Sequence, residues 1–173
     1  MRYLTKKLFL SKVRQLKEKN PEHWGHNVYR PSQPKSVDRW SYHEKAVEIL
    51  EKIHPKTVLE AGSMGIFLTN MSDSIDLDMP EWSWRLTYDP TYNYDLRNVP
   101  WPIRDKQYDV FVALRVFHHM EDQEKFLKEM ERISNHIILA FPQYTSDVYE
   151  RIKTPTEKYH FDDTDTTVIY YKI

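Results

Sequence analysis

Residues 56–69, KTVLEAGSMGIFLT, are the stretch that decides the fold. The stretch begins with a short apolar run, which is typical of a buried parallel strand, and the run ends at an acid, Glu60. Gly62 and Gly65 follow, and glycine allows a sharp turn because it has no Cβ and tolerates positive φ. Such a turn at the start of a helix leaves backbone N–H groups free to bind a ligand. We therefore predict a strand, a tight turn and a short helix.

A second informative stretch is 99–120, VPWPIRDKQYDVFVALRVFHHM. Its residues 110–114 form a continuous apolar run of strand length. Residues 122–133 then place apolar side chains on one face of a helix, and residues 136–140 are a further apolar strand. A strand, a helix and a strand in series predict a parallel sheet with right-handed crossovers. Ligands bind such sheets at the C-terminal ends of the strands.

These stretches resemble the class I S-adenosylmethionine-dependent methyltransferases. Glu60-Ala-Gly62-Ser-Met64-Gly65 looks like the family's first motif, an acid followed by a glycine-rich loop, although one of the family's three alternating glycines is missing. Tyr108-Asp109 resembles the Phe-Asp motif that opens the family's strand four, and residues 129–133, EMERI, resemble its Glu-x-x-Arg-Val helix. The resemblance covers residues 58–142. It implies an α/β fold with a Rossmann-like, doubly wound, mostly parallel sheet and helices on both faces.

The length of 173 residues fits one domain. We predict a single methyltransferase-like domain over residues 1–173, with an N-terminal helix and a Pro-rich lid in residues 1–41 and the Rossmann-like core in residues 42–173. The lid, residues 20–41, fits no regular element, and we expect it to cover the cofactor crevice.

The C-terminal part of the domain is abbreviated. Residues 166–173 alternate between apolar and polar positions and predict a strand. The usual terminal antiparallel hairpin of the family needs more residues than the chain offers. Either the hairpin is trimmed, or His160-Phe161 supplies a short partner strand.

Two positions compete for the end of the second strand. In one, the strand ends at Asp76 or Asp78, close to the spacing at which such folds place a carboxylate on a ribose. In the other, it ends at Asp89. We favour Asp89. The family has an acid, a short loop and a second acid in this region, and Asp89 followed by Asp95 and Leu96 resembles that pattern. The two earlier acids would then lie in an insertion.

Through the resemblance, the cofactor is S-adenosylmethionine. Its ribose hydroxyls would contact Asp89 and its adenine would contact Asp95 and Leu96. The implied cofactor-binding residues are Glu60, Gly62, Ser63, Gly65, Asp89, Asp95 and Leu96. His118 and His119 end strand four, where the substrate should lie, and an imidazole titrates in the range that a general base needs. They are the candidate catalytic residues.

The leading functional hypothesis is an enzyme that transfers a methyl group from S-adenosylmethionine to a small molecule or metabolite. The alternative is a non-catalytic methyltransferase-like module for binding or regulation, which the missing glycine favours. A nucleic-acid substrate is disfavoured, since 25 Lys and Arg nearly balance 26 Asp and Glu. Residues 114–117, Leu-Arg-Val-Phe, also replace the Asn-Pro-Pro-Tyr-like motif of nucleic-acid methyltransferases. Direct cofactor binding discriminates the first two hypotheses.

Composition excludes several other classes of site. The chain has no cysteine, which excludes disulfides, thiolate zinc sites and cysteine nucleophiles and fits a cytoplasmic protein. No metal site is predicted, because His118 and His119 have no further ligand at a suitable spacing. No apolar run is long enough to span a bilayer, and we expect no secretory signal at the N-terminus.

Overall fold

The structure is a computed structural model that describes residues 1–19, 39–63, 65–76 and 89–173. Within these ranges, seven strands form one sheet. They are β1 Val58–Ala61, β2 Ser72–Asp76, β3 Tyr92–Asn93, β4 Tyr108–Leu114, β5 Ser134–Phe141, β6 Glu157–Phe161 and β7 Thr166–Lys172. The α-helices of the described residues are α1 Lys6–Lys19, α2 Trp40–Ile53, α3 Gln123–Ile133 and α4 Gln143–Ile152. The spatial order of the strands is β3-β2-β1-β4-β5-β7-β6.

The central strands run parallel. β1 pairs in parallel with β2 and with β4, and β4 pairs in parallel with β5. The prediction that β1, β4 and β5 share one parallel sheet is therefore confirmed. β7 lies antiparallel to β5 and to β6. Since β6 contains His160 and Phe161, the short partner strand is the alternative that holds for the C-terminal part.

Helices cover both faces of the sheet. On one face, Phe9 of α1 and Ile49 of α2 are buried with Val110 of β4. On the other face, Met130 of α3 is buried with Phe111 of β4. Strands buried on both faces are apolar at successive positions, as β4 is. The predicted doubly wound α/β architecture is confirmed.

The connection from β1 to β2 differs from the prediction. A short helix was expected after the glycine turn, but none of the described residues within 62–71 is helical, and Met64 lies outside the described residues. The N-terminus lies against this connection instead, and the N–H of Leu4 donates to the carbonyl of Leu68 at 2.7 Å. Ile66 and Leu68 share a core with α1. The helix α1 thus packs on the face of the sheet where a helix between β1 and β2 was expected.

The second strand also lies elsewhere than predicted. β2 ends at Asp76 and pairs with β1, so the preference for a strand ending at Asp89 is wrong. The physical reason is that the polar residues of β2 find partners. The carboxylate of Asp73 accepts a hydrogen bond from the hydroxyl of Tyr108 at 2.7 Å, while Ile75 is fully buried. The N–H and hydroxyl of Ser74 likewise pair with Thr91, both at 3.1 Å, and such hydrogen bonds stabilise a strand with few apolar residues.

Several sequence predictions concern residues outside the described ranges. Most of the lid, residues 20–38, lies there, as do Asp78 and the strand proposed at residues 84–88. Among the helices that the structure describes, none is long and apolar enough to cross a membrane.

Candidate functional site

The glycine turn lies at the C-terminal end of β1, between the ends of β2 and β4. The strand order reverses between β1 and β4, which is where open α/β sheets bind ligands. Gly62 has a φ of +63° and Gly65 a φ of +81°, in the region that glycine tolerates best. A Cβ on Gly62 would lie 2.4 Å from Cγ2 of Val116. The predicted turn is present, and Val116, just after β4, packs directly onto it.

Glu60 lies buried beneath the turn, with 3% of its surface exposed. Its Oε1 accepts a hydrogen bond from the N–H of Leu68 at 2.7 Å. The N–H of Thr69 and the hydroxyl of Ser72 act on this carboxyl group in the same way, since both lower its pKa against the effect of burial. The chain itself therefore uses the carboxyl group to hold the connection between β1 and β2. This geometry gives Glu60 a positioning role for the turn.

The buried position of Glu60 predicts a pH-dependent stability. Burial raises the pKa of Glu60 from 4.5 to about 7. Between these values the folded protein holds a proton that the unfolded chain releases, so the stabilisation is fully present below pH 4.5 and is lost as the pH rises to about 7. We expect this group to lower the free energy of unfolding by about 3 kcal/mol across that window. Urea unfolding at about pH 5 and about pH 8 measures the change.

The matched variants are Glu60→Gln and Asp162→Asn. The Glu60→Gln variant has no titrating group at this position. We therefore expect its free energy of unfolding not to show the decrease between about pH 5 and about pH 8. Asp162 is fully exposed, so Asp162→Asn should keep the wild-type profile. Identical profiles for wild type and Glu60→Gln would contradict the assignment.

Asp76 ends β2 at the edge of the crevice, beside the glycine turn. It is 5% exposed, and its carbonyl accepts a hydrogen bond from the N–H of Tyr94 at 3.0 Å. The N–H of Gly62 donates to the carbonyl of Ile75, the preceding residue, at 3.4 Å. Asp89, by contrast, is exposed and precedes β3. The acid at the end of the second strand is Asp76.

Asp95 and Leu96 lie in the loop after β3. The Arg97 guanidinium donates to the carboxylate of Asp95 at 2.6 Å, and hydrogen bonds from Arg97 hold the pKa of Asp95 below its ordinary value. Leu96 is fully buried, and its carbonyl accepts a hydrogen bond from the indole of Trp101 at 3.0 Å. Because Tyr94 bonds to the end of β2, this loop lies on the same side of the crevice as Asp76.

A buried ion pair on α3 secures the loop that carries Asp95 and Leu96. Glu129 is 7% exposed, and it accepts a hydrogen bond from the N–H of Trp101 and another from the Arg132 guanidinium, both at 2.6 Å. Arg132 also donates to the carbonyl of Ile103 at 2.7 Å. The hydrogen bond with Glu129 is the largest cause of a raised pKa for Arg132. The pattern EMERI therefore has a structural task here.

His118 and His119 lie in a short 3-10 helix, Phe117–His119, just after β4. This helix follows Val116, the residue that packs onto the glycine turn. His118 is partly exposed, and the side chain of His119 lies outside the described residues. The catalytic role of both histidines stays a prediction. Within the described residues, no group of three His, Cys, Asp or Glu side chains could hold a metal ion.

Comparisons with known proteins agree with this geometry. A family model described as a methyltransferase domain matches residues 76–136, and no curated protein sequence matches the chain. A putative S-adenosylmethionine-dependent methyltransferase from Methanococcus maripaludis is 12% identical, with 99% of this chain and 94% of that chain covered and a TM-score of 0.56. A putative RNA methyltransferase from Pyrococcus horikoshii is 16% identical, with 98% and 96% covered and a TM-score of 0.56. An S-adenosylmethionine-dependent methyltransferase from Aquifex aeolicus is 15% identical, with 92% and 96% covered and a TM-score of 0.52.

The family model, over about a third of the chain, and the shared fold support a class I S-adenosylmethionine-dependent methyltransferase domain. The cofactor of this family is S-adenosylmethionine. The residues of the crevice fit this group. The turn at Gly62 and Gly65 has positive φ at both glycines, and Asp76 supplies a carboxylate of the kind that binds paired hydroxyls at the end of a second strand.

Proposed function

We propose that the protein is an enzyme that transfers the methyl group of S-adenosylmethionine to a small-molecule acceptor. The cofactor supplies an electrophilic methyl group when it is bound. The chain then needs to bind and orient both molecules, exclude water and take up a proton where the acceptor carries one. The observation that carries this proposal is the crevice where the strand order reverses, with a positive-φ glycine turn on one wall and a buried acid on the next strand.

The roles of individual residues follow from their places around the crevice. The glycine turn faces the methionine part of the cofactor, and Asp76 takes the ribose hydroxyls in place of Asp89. Glu60 acts through the turn that it holds. The complete set of proposed cofactor-binding residues is Gly62, Ser63, Gly65, Asp76, Asp95 and Leu96.

Calorimetry with S-adenosylhomocysteine tests the cofactor site. The full chain should bind it saturably, and Asp76→Ala should weaken binding about tenfold or more, because a buried carboxylate that accepts hydrogen bonds is removed. Asp89→Ala is the matched control and should bind like the wild type. A loss of affinity in Asp89→Ala with none in Asp76→Ala would overturn the assignment of the acid.

The second candidate function is the non-catalytic module for binding or regulation. Two observations favour it, namely the missing glycine and the side chain of Val116, which covers the turn at Gly62. The same calorimetry separates the two candidates. A folded protein that releases no binding heat with S-adenosylhomocysteine would support the module and contradict the enzyme.

A small molecule is the proposed acceptor because the chain lacks the charge that a polyanion needs. Its formal net charge is −1, whereas affinity for nucleic acid depends on neutralising many phosphates with Lys and Arg. One of the structurally similar proteins is named as a putative RNA methyltransferase. Titration with a short RNA oligonucleotide at near-physiological salt tests this point, and tight, salt-dependent binding would contradict a small acceptor.

His118 or His119 is the proposed general base, since both follow β4 next to the glycine turn. General-base catalysis contributes about 100-fold or more to a rate. With an accepted substrate, replacing the active histidine by glutamine should lower kcat by about that factor and leave the affinity for S-adenosylhomocysteine unchanged. The other histidine is the matched control. Full turnover in both variants would rule out a histidine base.

A further inference from the structure

Arg115, the first residue after β4, has an unusual backbone conformation. Its φ is +60°, in the left-handed region that residues with a long side chain rarely adopt. Its N–H donates to the carbonyl of Ala140 at 2.8 Å, so β5 holds it in place. Strained residues that the surrounding structure holds in this way are concentrated at functional sites. Arg115 also precedes Val116, so it begins at the wall of the crevice.

The guanidinium of Arg115 points away from the cofactor side of the sheet. It crosses the end of β5 and donates to Oγ1 of Thr166, at the start of β7, at 2.8 Å. Arg39, which precedes α2, and Tyr42, in the first turn of α2, lie close enough to affect its charge. The guanidinium therefore lies among β5, β7 and α2, beyond β4 from the proposed cofactor residues.

The positive charge at this place is only weakly balanced. Burial lowers the pKa of Arg115, and Arg39 lowers it further, while Tyr42, Asp165 and Tyr144 oppose this effect. Among the described residues, no carboxylate lies within ion-pair distance of Arg115. A guanidinium carries five N–H donors, arranged as a fork that matches a carboxylate. The hydrogen bond to Thr166 uses one of them.

We propose that Arg115 binds a carboxylate of the methyl acceptor, so that the acceptor is a small organic acid. This proposal rests on the proposed function, because it concerns the acceptor side of the same crevice. The acids Asp76 and Asp95 lie on the cofactor side, at the ends of β2 and β3. The guanidinium of Arg115 lies on the other side. A negatively charged acceptor is thus attracted to the side of the crevice where Arg115 lies.

Calorimetric titration of the full chain with benzoate, and with its neutral analogue benzamide, tests this inference. The titrations are made with and without S-adenosylhomocysteine. Benzoate should bind saturably and about tenfold or more tightly than benzamide, because the pair with arginine is charge-assisted and bidentate. Arg115→Gln should remove this preference. Arg115→Lys, which keeps the charge but loses the fork, should retain part of it.

Arg151→Gln is the matched control, since Arg151 is an exposed arginine on α4, and it should bind benzoate like the wild type. Thermal unfolding of each variant confirms that it is folded. Equal binding of benzoate and benzamide, or an unchanged preference in folded Arg115→Gln, would overturn the inference. Binding of phenyl phosphate or of an oligonucleotide without binding of benzoate would overturn it too. If S-adenosylhomocysteine does not bind but benzoate still binds through Arg115, the proposed enzyme fails and the anion site stands.

Discussion

The Gly62→Ala variant is expected to lose about 3 kcal/mol of its free energy of unfolding together with saturable binding of S-adenosylhomocysteine. The new Cβ would lie 2.4 Å from Cγ2 of Val116, and the φ of +63° is unfavourable for alanine. The turn must therefore shift, which moves the backbone proposed to face the cofactor. Urea unfolding measures the loss of stability, and calorimetry measures the loss of binding.

A double variant separates the two causes of this effect. Val116→Ala removes the methyl group that the new Cβ would meet but leaves the backbone conformation of residue 62 unchanged. In the Gly62→Ala/Val116→Ala protein we expect a coupling energy of about 1–3 kcal/mol in favour of the pair. Strictly additive losses would show that Val116 does not pack onto the turn.

The Glu129→Ala variant is expected to lose about 3 kcal/mol of its free energy of unfolding, since it removes the buried carboxylate partner of Arg132 and leaves only the exposed Asp105. The N–H of Trp101 also loses its acceptor. Because these contacts secure the loop that carries Asp95 and Leu96, the affinity for S-adenosylhomocysteine should fall as well. Urea unfolding and calorimetry are again the measurements.

Glu124→Ala is the control on the same helix. Glu124 forms an exposed pair with Lys128 at 2.7 Å, and such pairs contribute less than about 1 kcal/mol. We expect this variant to keep its affinity for S-adenosylhomocysteine. Equal losses of stability in Glu124→Ala and Glu129→Ala would contradict the structural role of the buried pair.

The sequence by itself determined the parts of the fold that depend on local pattern. The apolar run at residues 110–114 indicated a strand buried on both faces, and β4 is that strand. The sequence indicated that a helix starts at Asp122 or Glu121, and the carboxylate of Asp122 accepts a hydrogen bond from the N–H of Lys125 at 3.0 Å. The two glycines indicated the turn at the end of β1. These features were readable because apolar periodicity, helix capping and positive φ depend on neighbouring residues.

Only the tertiary structure decided the details of the site. β2 is a strand because Asp73 meets Tyr108, which lies far along the chain, and Asp76 is therefore the acid beside the turn. Arg115 adopts a positive φ because Ala140 of the neighbouring strand binds its N–H. Its nearness to Arg39 likewise arises from the fold. The physical reason is the same in each case. The residues that bind these polar groups, or that place a second charge beside them, are distant in sequence, so the local pattern does not predict them.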